Sequence, residues 1–477
     1  MSAGVGPDTI CYLLSVIGIG RHPVSTSRFS HENGLHELSF YNSRAFLFGF
    51  APSLGGAMPT EKSDLLPDAK GAGRPVDSGT ILALEGLRGV LMTLILTFHF
   101  QMFARGESGR VPCDSPAECA WSNLLELNGN SLVDYFFVIS GFLAALSNRP
   151  PPAGCSPLWR GMAGKFLRLA PIYYVSIAIL IFMYWLNGTD CVPAYSLAAQ
   201  LLMLQAWFPI GHLQSPALFC GNATTTLGSA VAWRPPAPAH WFVSALLGVF
   251  LVHSLIGERL VRLCGPWLSL FNAVFFAVVR GLCKAPVLNR LLWPYNITWR
   301  LIFPLFHVPE FLAGAFAAQL VNQLPEDGVV RTWRGWQVVD SVCVILLSVF
   351  LCLPSSSRGT ANAPMLGGFF VWEMVQLPLV VLLLLCMRMK HEGIALRGLA
   401  TMAALGPISY GAYCFQFVVL RLQLMSHWSL RSWPSAIFFL AATWLLAGLA
   451  THYVDTPFRS VSKHWLKAGC FASASDP

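Results

Sequence analysis

From residue 80 onward the chain is written in apolar runs, each close to the ~20 residues that a hydrocarbon slab demands of a helix. In lipid no water satisfies a backbone N–H or C=O, so a helix, which closes its hydrogen bonds internally, is the natural state of such a run. The runs fall at 81–103, 131–147, 168–186, 240–256, 266–280, 298–320, 336–353, 368–387, 402–424 and 435–454. A further run, 196–210, is short and closes on a proline, so it is expected to dip into the bilayer without crossing it. Composition agrees: 11% of the residues are charged and 55% hydrophobic, against about 25% charged in soluble domains. The expected fold is all-α, a polytopic transmembrane bundle of about ten spans, ten to eleven, over residues 80–462.

Residues 1–79 differ. "CYLLSVIGIG" at 11–20 is too short to span, and no basic residue precedes it, which makes a poor signal peptide. The stretch 51–79, rich in Gly, Pro, Ser and Asp, reads as a disordered linker, hence a mobile cytosolic tail or a targeting extension. Residues 463–477 form a short C-terminal tail.

The net charge of +8 is spread over short segments, with no basic block of the kind that grips nucleic acid, so no nucleic-acid partner is expected. Five connections are richer in Lys and Arg: 149–168, 258–263, 331–334, 387–397 and 458–467. With ten crossings all five lie on one side together with the N-terminus, which makes that side, and both termini, cytosolic. The partner surface is then the bilayer, of the plasma membrane or an endomembrane. Three N-glycosylation sequons, at Asn187, Asn222 and Asn296, fall on the opposite side, as do Cys113, Cys119, Cys191 and Cys220, where disulfides are permitted. Arg280, Lys284 and Arg290 break this pattern. None of the 13 cysteines has paired CxxC spacing, and no metal is expected.

Ionisable residues inside spans are costly and usually face a cavity. Arg88 and His99 sit eleven residues apart in the first run, three turns plus about 20°, so they share one face with roughly 16 Å between them along the axis. Asp134, near the start of the second run, is expected to reach His99. That pairing serves either a buried structural hydrogen bond or a general base acting on a hydroxyl, its tautomer fixed by the carboxylate. Lys165 and Arg168, three apart where the third run opens, share a face with each other and a depth with Arg88. Three such cations suit a phosphorylated ligand such as coenzyme A, and equally serve as topology anchors. His307 and Glu310 fall mid-membrane with Pro304 and Pro309 beside them, and Gly314 allows close helix contact. His452 and Asp455 are expected to pair locally.

The order of these pieces carries a resemblance. "LEGLRGVLMTLILTFHF", "DYFFVISGFL", "KFLRLAPIYY", "WFVSALLGVFLV", "FHVPEFLAG", "LGPISYGAYCFQF" and "YVDTPFR" occur in sequence, and the chain over about 80–462 resembles acyltransferase family 3. This family comprises membrane O-acyltransferases that modify sugars, polysaccharides, peptidoglycan, macrolides and lipids. The resemblance implies a ten- or eleven-span domain taking acyl groups from an acyl-CoA such as acetyl-CoA on the cytosolic side. The acceptor is a hydroxyl of a carbohydrate, lipid or small metabolite, commonly across the membrane, and no cofactor is permanently bound. It places His99, Asp134 and Glu310 among the catalytic residues and Arg88 and Arg168 at the donor, where the cation cluster adds Lys165. Ser140 and Gly141 match the family's SGF turn, and Pro171 its basic-proline motif. Two positions depart from the family: Leu246 stands where many members carry an acid, and Gln416 where many carry a histidine. Those departures leave open a catalytically silent relative, and the polar stripe leaves open a transporter of lipid or acyl carrier. No half-to-half similarity of the transporter kind is evident. No hydrolase-like domain follows residue 462, so delivery is expected to rely on the bundle alone.

Overall fold

The computed structural model describes residues 78–106, 116–146, 157–187, 192–207, 217–218, 240–283, 303–325, 328–352, 368–389, 393–426 and 433–462. The rest of the N-terminal tail, residues 463–477, the sequons at 222 and 296, Lys284, Arg290, Cys113, Cys191 and Cys220 lie outside them. Cys119 falls within a helix, but its side chain is not among those described.

Each of the ten apolar runs overlaps a helix. They are α1 (Ser78–Gly106), α2 (Pro116–Leu146) and α3 (Pro157–Asn187). After the short α4 (Ala194–Leu201) come α5 (Trp241–Val252), continued through a π turn at His253–Gly257 into α6 (Glu258–Leu263), and α7 (Pro266–Cys283). A 3₁₀ turn, Pro304–His307, leads into α8 (Val308–Gln323), followed by a one-turn α9 (Val329–Thr332), α10 (Trp336–Cys352) and α11 (Gly368–Arg388). The chain closes with α12 (Ile394–Thr401), a 3₁₀ turn at Ala403–Leu405, α13 (Ser409–Met425) and α14 (Trp433–Ala450), which runs through a second π turn at Thr451–Asp455. Among the described residues five helical stretches are long and apolar enough to cross a bilayer: Gly79–Gln101, Gly161–Leu186, Trp241–Leu263, Pro304–Gln323 and Pro434–Ser462. Four shorter apolar helices accompany them, at Ser131–Leu146, Pro266–Arg280, Trp336–Val349 and Val375–Arg388. Among the described residues the departure from helical structure is a two-residue antiparallel ladder, Val192–Pro193 against Ala217–Leu218.

Several boundaries differ from the hydrophobic pattern, each for a local reason. α2 starts fifteen residues before its apolar run, because good helix formers such as Glu118, Leu125 and Glu126 continue the helix beyond the hydrophobic stretch. The run at 298–320 is split, with Pro304 opening the 3₁₀ turn and Pro309 in the first turn of α8, where a missing N–H breaks no bond. The 196–210 run yields α4 and then turns through 202–207, with Met203 at φ 53°. Eight residues of helix reach only about 12 Å, too short to cross.

α2 crosses α8 in direct backbone contact, made by two reciprocal glycines. A Cβ on Gly141 would lie 1.9 Å from the Phe311 carbonyl oxygen, and one on Gly314 would lie 1.9 Å from that of Val138. Without a hydrophobic drive between helices in lipid, such backbone approach supplies the packing energy. Gly141 therefore sits inside a helix, not in the turn that the SGF motif suggested. α11 ties into the bundle through Thr80 Oγ1 donating to the Met387 carbonyl (3.0 Å) and Tyr135 Oη donating to Gln376 Oε1 (2.7 Å). On α7 the small residues Ser269, Ala273 and Ala277 point inward while Trp267, Phe271 and Phe275 are exposed, as a lipid-facing helix requires.

Candidate functional site

Four ionisable side chains meet where α2, α7 and α8 converge. Arg280 continues the inward stripe of α7 and is buried, with 2% of its side chain exposed. Its Nη2 lies 3.3 Å from Asp134 Oδ1, and its Nε pairs with Glu310 Oε1. His307 Nδ1 is 2.8 Å from Glu310 Oε2 and 3.5 Å from Arg280 Nη2. Guanidinium nitrogens only donate, and the carboxylate only accepts, so Nδ1 carries a proton and donates it to Glu310. The imidazole lies between two aromatic rings, Phe137 at 4.1 Å and Trp241 at 5.7 Å between centroids, both nearly parallel to it. Every charge here is buried, and each acid has a cationic or N–H partner, the condition under which buried charges are tolerated. The candidate ligand atoms of Asp134, His307 and Glu310 lie within 4.8 Å of one another, as metal ligands do. Arg280 already places a fixed positive charge among them, and a metal ion would have to displace it.

His99 is elsewhere in the contact network. The structure does not pair it with Asp134, since the ring of His99 is turned toward α13 while Asp134 faces α7 and α8. His99 Nδ1 lies 2.6 Å from Gln416 Oε1, and the ring packs beside Phe98 and Phe417. Gln416 donates its Nε2 to the Tyr413 carbonyl at 2.8 Å, which leaves Oε1 as the acceptor facing His99. His99 therefore carries its proton on Nδ1 and presents an Nε2 lone pair. Leu246, the other departure from the motif, is buried in the apolar core.

At the opposite end of α1 the expected cations do gather. Arg88 forms an ion pair with Glu85 (2.9 Å). Lys165 places its Nζ 4.4 Å over the Phe250 ring and lies within electrostatic range of Arg168 and His253. Arg168 is exposed and feels Arg88, Arg459, Glu85 and Asp455. Asp455 pairs with Arg459, not with His452, which stacks edge-on against Tyr453. Four cations thus face two carboxylates, and both carboxylates are engaged by Arg88 and Arg459. Among the described residues neither Lys165 nor Arg168 has a carboxylate in ion-pair contact. α3, which bears them, packs against both π turns, and π turns recur at functional sites. Pro171 leaves the Leu167 carbonyl without its i+4 partner one residue before Arg168.

A third polar group lies between α3, α5 and α13. His240 Nε2 donates to the Cys414 carbonyl (3.2 Å), Gln205 Nε2 donates to the His240 carbonyl (2.6 Å) and to Tyr173 Oη (3.0 Å), and Tyr173 Oη donates to the Gln200 carbonyl (2.7 Å).

Arg88, Lys165 and Arg168 are thus brought together as the sequence suggested; Asp134 is gathered with Glu310 around Arg280 instead of with His99, and His99 joins neither group. Sequence reasoning missed the partners Arg280, Gln416, Arg459 and His253. For Arg280 a signal existed: it follows Ser269, Ala273 and Ala277 at helical spacing on a face of small residues.

Residues 81–452 match a family model described as an acyltransferase domain. Comparison with curated proteins and with solved structures gave no match.

Proposed function

Since the chain belongs to this acyltransferase family and is an integral membrane acyltransferase, we propose that it moves an acyl group from acyl-CoA to a hydroxyl of a sugar, glycan, lipid or small metabolite. The observation that carries this reading is the cation excess around Arg168, which calls for a polyanion, in the same bundle as a histidine with a defined basic nitrogen. Coenzyme A's phosphates would be held by Arg88, Lys165 and Arg168, joined by Arg459. Its thioester arm, extended, covers the roughly 16 Å along α1 toward His99.

There Nε2 of His99 takes the proton of the acceptor hydroxyl as the oxygen attacks the thioester carbonyl. The C–S bond breaks, and the proton passes from His99 to the departing thiolate. Asp134 and Glu310 enter this reading through Arg280 and His307, which they hold, and not through His99. With ten crossings and both termini in the cytosol, the cation cluster faces the cytosol, where acyl-CoA is found. The five longer spans and the four shorter apolar helices support that count, which takes α13 as the tenth crossing.

The purified protein with labelled acetyl-CoA tests the reading. The intact chain should release coenzyme A or label an acceptor, and His99→Ala should lower that rate at least about 100-fold with the amount of folded protein unchanged. An active His99→Ala protein would remove His99 from the chemistry.

A further inference from the structure

The contact between His99 and Gln416 assigns a role to a side chain that the motif comparison marks only as a loss. We infer that Gln416 is the positioning residue of the acyl transfer, fixing His99 in the tautomer that presents Nε2 to the acceptor; this rests on His99 being the base.

Three observations point the same way. Gln416 is buried, with 1% of its surface exposed, so its amide competes with no water. Its two ends are both used: Nε2 donates to the Tyr413 carbonyl, and Oε1, 2.6 Å from His99 Nδ1, has only an N–H to accept from. The amide cannot turn over without facing a carbonyl with an oxygen, so its orientation is set by the backbone of its own helix. His99 is then locked as the Nδ1–H form, which is the arrangement a carboxylate partner provides in other histidine bases. What the amide lacks is charge. It orients the ring but does not stabilise the imidazolium that forms when Nε2 takes a proton.

Among the described residues the surroundings offer no substitute for that charge. The helices packed against α1 are α2, α11, α12, α13 and α14. Their described ionisable groups include Asp134, Arg388, Arg397, Tyr410, Tyr413, Cys414 and Arg421, and none makes a hydrogen bond or ion pair with the His99 ring. Asp134 faces Arg280, and Arg421 lies over the Tyr184 ring at 4.7 Å. Gln416 is therefore the polar group that decides how His99 behaves.

Two substitutions separate orientation from mere packing. Gln416→Leu should lower kcat roughly 10- to 100-fold, as loss of an orienting partner does, while KM for acetyl-CoA stays within about twofold, because the donor is held elsewhere. Gln416→Glu keeps the acceptor atom and adds a charge that stabilises imidazolium. The base form is then lost at higher pH, and the acidic limb of the rate profile should move up by about one pH unit or more. Labelling with ¹⁵N-histidine, with the His99 signal assigned by its disappearance in His99→Asn, should show the wild-type ring protonated on Nδ1. An unmoved acidic limb in folded Gln416→Glu, or a His99 signal protonated on Nε2, would overturn the inference even if His99→Ala is inactive. Activity in His99→Ala would instead overturn the reading on which it rests.

Discussion

At the scale of single residues the governing quantity is the cost of buried charge. Asp134 and Glu310 would be prohibitive alone between α2, α7 and α8; Arg280, with contacts to both, offsets that cost. Removing one member of a buried ionic group costs about 3–5 kcal/mol, because its partners stay charged and unpaired. Arg280→Met should therefore lower stability by about that amount in detergent unfolding, and adding Glu310→Gln should recover part of the loss, since one orphaned charge disappears with it. Equal stability of Arg280→Met and the intact chain would show that the cluster is wetted and not buried. The common face of Arg88 and His99 was legible from spacing, since helix geometry is intrinsic to the chain. The partner of His99 was not, because it depends on which neighbour α1 turns toward. Depth alone favoured Asp134, while Gln416 stood out only as a departure from the family's histidine, and nothing in its position along α13 pointed to His99.

At the scale of elements, glycine sets the distance between α2 and α8, and with it the geometry of the ionic cluster that spans them. Asp134 lies about two turns before Gly141, and Glu310 about one turn before Gly314, so the crossing point and the cluster are neighbours along the same two helices. Gly314→Leu would drive a side chain into the Val138 carbonyl, which backbone cannot vacate without moving the helix. The variant should lose its folded population at temperatures where the intact chain is stable, whereas Gly448→Leu, on α14 with nothing within 4 Å of its Cβ position, should not. Comparable melting of the two would mean that α2 and α8 are not in backbone contact. The small residues around Gly314 made this contact readable in advance. Helix ends were less readable, because hydrophobicity reports where lipid begins and not where hydrogen bonding stops, as the early start of α2 shows. The two π turns left no mark in the hydrophobic pattern, yet they bring His253 and Arg459 to the cations of α3.

Across the whole molecule, the helical bundle follows directly from the apolar runs, and the ordered motifs point to the family that matches residues 81–452. Arg280, an anomaly when counted as a loop charge, belongs to the interior and should be left out of any inside–outside tally. The central claim is that one bundle grips a phosphorylated donor at one face and exposes a base toward the other. Thiol labelling tests this without knowledge of the acceptor, using Gly164→Cys, one turn before Arg168 on the same face of α3 and with nothing within 4 Å of its Cβ position, and His99→Cys, in a background freed of native cysteines and sealed in oriented vesicles. An impermeant maleimide should reach the thiol of the Gly164→Cys protein from the cytosolic face and be blocked there by coenzyme A, and should reach that of the His99→Cys protein from the opposite face. Labelling of both proteins from one face, or labelling of Gly164→Cys that coenzyme A leaves unchanged, would contradict the account.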